Sequence, residues 1–169
     1  MYTLSETSLK MLKGVHPNLV NFMTDLIKIS PWNFKITAGV RTAEEQNRLY
    51  QKGRTAPGAK VTNVDGYKLK SNHQVKFNGL GYATDIGVLV KEKVKVSVVE
   101  NGKKVEKVIE KDIYKGTWKD FHYYQDIYDT AKKAGLLEKY GIEWGGNCWK
   151  TFKDAPHWQI KGADKIAFK

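Results

Sequence analysis

The chain has 169 residues, the length of one ordinary domain with a core of its own. Hydrophobic residues make up 41% and charged residues 28%, which excludes a disordered chain, and no apolar run approaches the ~20 residues a membrane helix needs. The formal net charge of +11, from 29 basic and 18 acidic residues, favours polyanionic surroundings: nucleic acid, anionic lipid or an acidic cell wall.

Met1 to Glu6 carries no basic patch followed by an apolar stretch, so no signal peptide is expected. Leu4–Leu12 reads as a short helix with Leu4, Leu9 and Leu12 on its apolar side, Ser5 as a cap and Gly14 as its end. His16-Pro17 opens a second helix whose core face is Leu19, Val20, Phe22, Met23, Leu26 and Ile27; His16 there is structural rather than a metal ligand. Pro31 ends it. Trp32–Val40 follows as a strand, with Phe34 and Ile36 alternating against Lys35 and Thr37. Thr42 and Glu45 form a capping box for a third helix that Gly53 ends. Arg41 is thus held at a strand-to-helix junction, suited either to a surface ion pair or to carboxylate recognition.

Residues 54–70 form a polar loop that delivers Ser71 and His73. Gly81–Val90 reads as a strand with Gly81, Ala83, Asp85 and Gly87 on one face and Ile86 and Val88 on the other; the small residues leave room beside Asp85 for a metal or substrate. Val94–Ile109 is a lysine-rich hairpin turning at Asn101-Gly102. Its lysines protect an edge or meet an anionic partner. Trp118–Leu137 reads as the longest helix, buried through Phe121, Tyr124, Ile127, Tyr128, Ala131 and Ala134, with His122 facing solvent. Trp144-Gly145-Gly146 is a tight turn, and Asp154–Ile160 closes the sheet. The whole chain, 1–169, is expected to be one α+β domain, with the lysine-rich hairpin of about 91–111 as an insertion.

Cys148 is the only cysteine, which excludes an intramolecular disulfide; it is either an ordinary buried residue or a nucleophile. His73, Asp85 and His157 fit an open zinc site: two imidazoles and a carboxylate, with a fourth position for water. Zinc lowers the pKa of bound water towards about 7, and a nearby carboxylate must then move the proton. Asp154 is the candidate. It precedes His157 by three residues, so the segment must curl for both to serve one water, and Pro156 can set that bend. On spacing alone, chance triads of this kind remain an alternative.

Ser71-Asn72-His73, Gly81 to Asp85 and Asp154 to Trp158 together resemble the zinc D-alanyl-D-alanine carboxypeptidase and L-alanyl-D-glutamate endopeptidase family, which includes many bacteriophage endolysins. Ile36 to Thr42, Glu45-Gln46, Leu49-Tyr50, Gly53-Arg54 and Trp144-Gly145-Gly146 resemble further pieces of it, in the same order. The resemblance implies an antiparallel sheet flanked by helices, the small α+β fold shared with the Hedgehog signalling domain. It implies Zn2+ on His73, Asp85 and His157, with Asp154 as general base. Arg41 would bind a substrate carboxylate or the developing oxyanion, and Ser71 would support substrate or the first ligand. The expected activity is an L-alanyl-D-glutamate endopeptidase acting on peptidoglycan stem peptides as an endolysin, with D-Ala-D-Ala carboxypeptidase the alternative. The protein would be a monomer held in the host cytoplasm until lysis, without membrane insertion or a specific nucleic-acid partner. Two departures stand out: the gap from His73 to Asp85 is longer than the family's, with the extra residues inside 74–80, and Asn147-Cys148, between Trp144-Gly145-Gly146 and Trp149-Lys150, carries a one-residue insertion. A rival reading is a catalytically inactive binder of wall or nucleic acid using Lys93, Lys95, Lys103 and Lys104.

Overall fold

β2, Ala83–Glu100, is the strand from which every other element of the site is placed. The computed structural model describes residues 1–149 and 153–169, so Lys150 lies outside the described residues. β1, Asn33–Ala38, pairs antiparallel along one edge of β2. β5, His157–Ile160, pairs with β2 over Ala83–Asp85, and β4, Ile142–Trp144, pairs with β5. β3, Lys103–Lys115, pairs with β2 from Val88 outward and completes a five-stranded sheet.

The helices follow from capping and apolar faces. α1, Glu6–Met11, starts at Ser5, whose hydroxyl accepts from Ser8 N. α2, Pro17–Ile29, buries Leu19, Phe22, Met23, Leu26 and Ile27 as expected, and His16 caps it by accepting from Asn18 N. α3, Ala43–Gln51, has the full Thr42–Glu45 capping box. The α2 face and Leu12 meet Phe34, Ile36, Ile86, Val88, Trp144 and Trp158 of the sheet. Each buried Leu, Ile, Met or Phe contributes roughly 1.5–3 kcal/mol. Trp144 and Trp158 are cross-strand partners with ring centroids 5.9 Å apart.

Four local expectations are corrected. Leu9 is exposed and Ser8 is buried in its place, because the Ser8 hydroxyl accepts from Ile36 N of β1. The helix expected over Trp118–Leu137 is two helices: α4, Phe121–Lys133, and α5, Leu136–Tyr140. Gly135 lies between them at φ +69°, a left-handed stop that also leaves Ala134 exposed. The strand at 81–90 and the hairpin are one continuous element, since β2 runs to Glu100 before the turn at Asn101. Finally, the space beside Gly87 is filled by protein. A Cβ there would meet the Tyr114 ring at 2.5 Å, so this glycine makes room for Tyr114.

Candidate metal centre

The register of the sheet assembles the centre. Asp85 and His157 are direct partners across the β2–β5 pair, so their side chains rise from the same face. Strand alternation sends Trp158 to the core and keeps Gln159 beside His157 on the site face. His73 arrives from the loop and is clamped by the chain leaving β1. Arg41 N donates to the His73 carbonyl at 3.0 Å, and His73 Nδ1 lies 2.7 Å from the Gly39 carbonyl. Gly39 is required there: a Cβ would sit 1.9 Å from the Met11 carbonyl oxygen.

Three donor atoms converge. His73 Nε2 and His157 Nδ1 are each 3.1 Å from Asp85 Oδ1 and 3.3 Å from each other. A tetrahedral ion with bonds of ~2.0–2.1 Å holds its donors about 3.3–3.4 Å apart, so the triangle has the size of a zinc face. The outward nitrogens are engaged as well. His73 Nδ1–H donates to Gly39 O, and His157 Nε2–H donates to Gln159 Oε1 at 2.9 Å. Gln159 is held in this orientation from both sides, its Nε2 donating to the Glu143 carboxylate at 2.6 Å and its Oε1 accepting from Asn72 Nδ2 at 2.9 Å. With both rings neutral, each directs a lone pair at the carboxylate, and a cation placed among the three donors, a metal or a proton, relieves them. The residues fit a divalent metal.

Electrostatics agree. Burial would raise the Asp85 pKa, but His73 and His157 outweigh it and hold the carboxyl well below its usual range. Burial lowers His73, against the pull of Asp85, and favours the neutral imidazole a ligand needs. Burial opposes charge on His157 too, but the hydrogen bond and charge of Asp85 win and raise it, so a proton on His157 competes with a metal for this place. Asp85 Oδ2 takes Arg41 Nη2 at 3.0 Å, while Arg41 Nη1 donates to Gln46 Oε1 at 2.8 Å. Arg41 thus grips Asp85, a contact absent from the sequence expectation, and it also lines the adjoining groove.

Asp154 meets the condition set by spacing. His157 N donates to the Asp154 carbonyl at 3.2 Å, closing a turn through Ala155-Pro156. Gly145 clamps this turn, giving its N–H to His157 O and accepting from Asp154 N. The Asp154 carboxyl is pushed up to about 6, by burial and then by the Asp85 charge, against His157 and Arg41. Ser71 Oγ accepts from His73 N at 3.3 Å, and so supports the backbone of His73. All six residues border one groove of about 1140 Å³, whose walls also include Glu45, Arg48, Tyr114 and Trp149. His16 and His122 lie outside it, and burial pushes the Cys148 thiol up to about 11, which makes it a poor nucleophile. Gln159, Glu143 and Lys76 were not singled out as functional by sequence reasoning. Gln159 alone left a signal, its shared strand face with His157.

A family model for the phage L-alanyl-D-glutamate peptidase matches residues 1–115. The chain belongs to this family. The matched stretch carries Arg41, Ser71, His73 and Asp85 and ends before Asp154 and His157, which the fold returns to the same place. The chain is also similar to the peptidoglycan L-alanyl-D-glutamate endopeptidase CwlK of Bacillus subtilis (strain 168), at 29% identity over 86% of this chain and 73% of CwlK. Its fold resembles the crystal structure of the Serratia marcescens L-Ala D-Glu endopeptidase ChiX, with a TM-score of 0.60, 23% identity, and coverage of 97% of this chain and 93% of that one. The chain is thus an L-alanyl-D-glutamate peptidase family member with an antiparallel α+β fold, and among the described residues no helix is long and apolar enough to cross a membrane.

Proposed function

We propose that this chain is a zinc-dependent L-alanyl-D-glutamate endopeptidase that acts as a phage endolysin. One observation carries the reading: two imidazole lone pairs and a carboxylate oxygen converge within 3.3 Å, beside a carboxyl whose pKa is raised to about 6. Zinc on His73 Nε2, Asp85 Oδ1 and His157 Nδ1 would supply a Lewis acid for the scissile carbonyl and would acidify water. Asp154 takes a proton from the attacking water and passes it to the departing amine. The amide C–N bond breaks, leaving a carboxylate on L-alanine and a free amine on D-glutamate. Arg41 keeps Asp85 Oδ2 occupied and offers its groove side to a substrate carboxylate or developing oxyanion. Ser71 holds the His73 backbone. The net charge of +11 draws the protein to an anionic wall, which suits a monomeric lysin that waits in the host cytoplasm and is released at lysis.

The deciding experiment measures turbidity loss of purified wall with wild type, chelator-treated protein and Asp154→Ala, followed by mass spectrometry of the fragments. Clearance by wild type alone, with new D-glutamate amines, supports the proposal. Equal behaviour of all three would sink metal catalysis and leave a basic wall-binding domain. Release of terminal D-alanine would reassign the bond.

A further inference from the structure

Lys76 is fully buried and takes no part in the chemistry above. It lies in the long segment between His73 and Asp85 that departs from the family pattern. That segment is anchored to the C-terminal residues: Phe77 N donates to Ala167 O at 3.0 Å, and Lys76 bridges Phe168. The Lys76 ammonium lies 3.3 Å from the centroid of the Phe168 ring and donates to Asn72 Oδ1 at 2.8 Å. Burial lowers its pKa to about 8, against the charge of Asp164, so at neutral pH it remains a cation that can only donate.

The orientation of Asn72 is therefore fixed from both sides. Its oxygen must face Lys76. Its nitrogen donates to Asp164 Oδ1 at 2.6 Å and to Gln159 Oε1 at 2.9 Å. Gln159 Oε1 is the same atom that accepts from His157 Nε2. If the Asn72 amide turned, two amide oxygens would oppose each other. Gln159 would be pushed to turn as well, against its bond to Glu143, and its amine would then face His157 Nε2. That would force the ring proton onto Nδ1, the atom that must be free to bind metal.

We propose that Lys76, with Asn72 and Asp164, is a positioning group that sets the ring polarity of His157 through Gln159, and thereby the affinity of the metal centre. The inference rests on the metal reading above. It assigns a task to the extra residues after His73: they carry the cation at the start of this chain of hydrogen bonds.

The test is zinc affinity of the whole chain, by competition with a chromogenic chelator, for wild type, Lys76→Met, Asp164→Asn and the double variant. Lys165→Met, an exposed neighbour, is the control. Lys76→Met is expected to weaken zinc binding by about 10–100-fold, as loss of outer partners of a metal-bound histidine does. The double variant should lose more, and saturating zinc should restore wall cleavage in each. A folded Lys76→Met protein that binds zinc within about twofold of wild type, whatever its Tm, overturns the proposal, because the expected loss is ~10–100-fold. If Lys76→Met does not fold, Asp164→Asn and Asn72→Ser decide instead, and unchanged affinity in both overturns it. Failure of wild type to bind zinc removes the metal reading and this inference with it. Zinc binding by wild type without an effect of the variants removes this inference alone.

Discussion

His73 and His157 present unlike nitrogens to each other, Nε2 of the first facing Nδ1 of the second at 3.3 Å. Each choice is dictated by the partner of the other ring nitrogen, the Gly39 carbonyl for His73 and Gln159 Oε1 for His157. The two lone pairs with Asp85 between them form a site that is stable when a cation neutralises it. Zinc at a hundredfold excess over its Kd should therefore stabilise the protein by about 2.7 kcal/mol, or ~5–10 °C in Tm for a domain of this size. His157→Ala should abolish that shift and wall cleavage together. Calorimetry with and without zinc checks this, and an equal shift in His157→Ala would place the metal elsewhere.

The same centre shows what could be read in advance. Motif spacing nominated His73, Asp85 and His157. The polar shell was out of reach. Gln159 meets Glu143 and Asn72 only because β4 and the loop before His73 are folded against β5, and no local pattern encodes those meetings. The two-helix break at Gly135 was hidden for a related reason. The apolar stripe continues through Leu136 and Leu137, which are buried, while the left-handed glycine changes the helix direction. Ser8 likewise mimics an ordinary polar helix residue until β1 supplies Ile36 N.

Arg41 spans two partners, Asp85 Oδ2 and Gln46 Oε1, with separate nitrogens of one planar fork. Lysine has no such fork. Arg41→Lys should lower kcat/KM by about 10–100-fold, a loss of ~1.4–2.8 kcal/mol in transition-state binding. Arg41→Gln should also weaken zinc binding, because it releases Asp85 Oδ2 from the fork that orients this carboxylate, a loss that outweighs the removal of a positive charge. Steady-state kinetics on a soluble stem peptide, together with zinc titration, checks both. Wild-type kinetics in Arg41→Lys would limit the role of this residue to charge.

Asp154 carries a folded-state pKa of about 6, raised above its ordinary 3.8. Between these values the folded state binds more protons than the unfolded chain, so this group makes stability fall as pH rises through that window. The cost is absent below ~4 and fully present above ~6, at up to about 2–3 kcal/mol. In the metal-free protein, Asp154→Asn should therefore raise stability at pH 7 and change it little at pH 4, while eliminating catalysis. Urea unfolding at the two pH values in chelator measures this. A variant that is less stable than wild type at pH 7 would show that the carboxylate is held by contacts rather than strained by burial.

Among the described residues, the hairpin beyond Val90 contributes none to the buried core. Its lysines are interleaved with acids across the ladder, Lys91 opposite Asp112, Lys93 opposite Glu110 and Lys111 opposite Glu92. Val108 and Val99 are 61% and 69% exposed. A ribbon of this kind is held by its own ladder and turn, and such a two-stranded element is only marginally stable alone. Replacing residues 94–109 with an Asn-Gly turn should keep Lys93 and Glu110 as the closing pair, leave Tyr114 over Gly87, and change Tm by only a few degrees. Activity on a soluble peptide should persist, since the groove wall ends at Tyr114 on this strand. Activity on intact wall separates the two expectations for the lysines. Unchanged wall cleavage identifies them as edge protection, whereas a salt-sensitive loss confined to wall substrate identifies the ribbon as an anchor for anionic polymer.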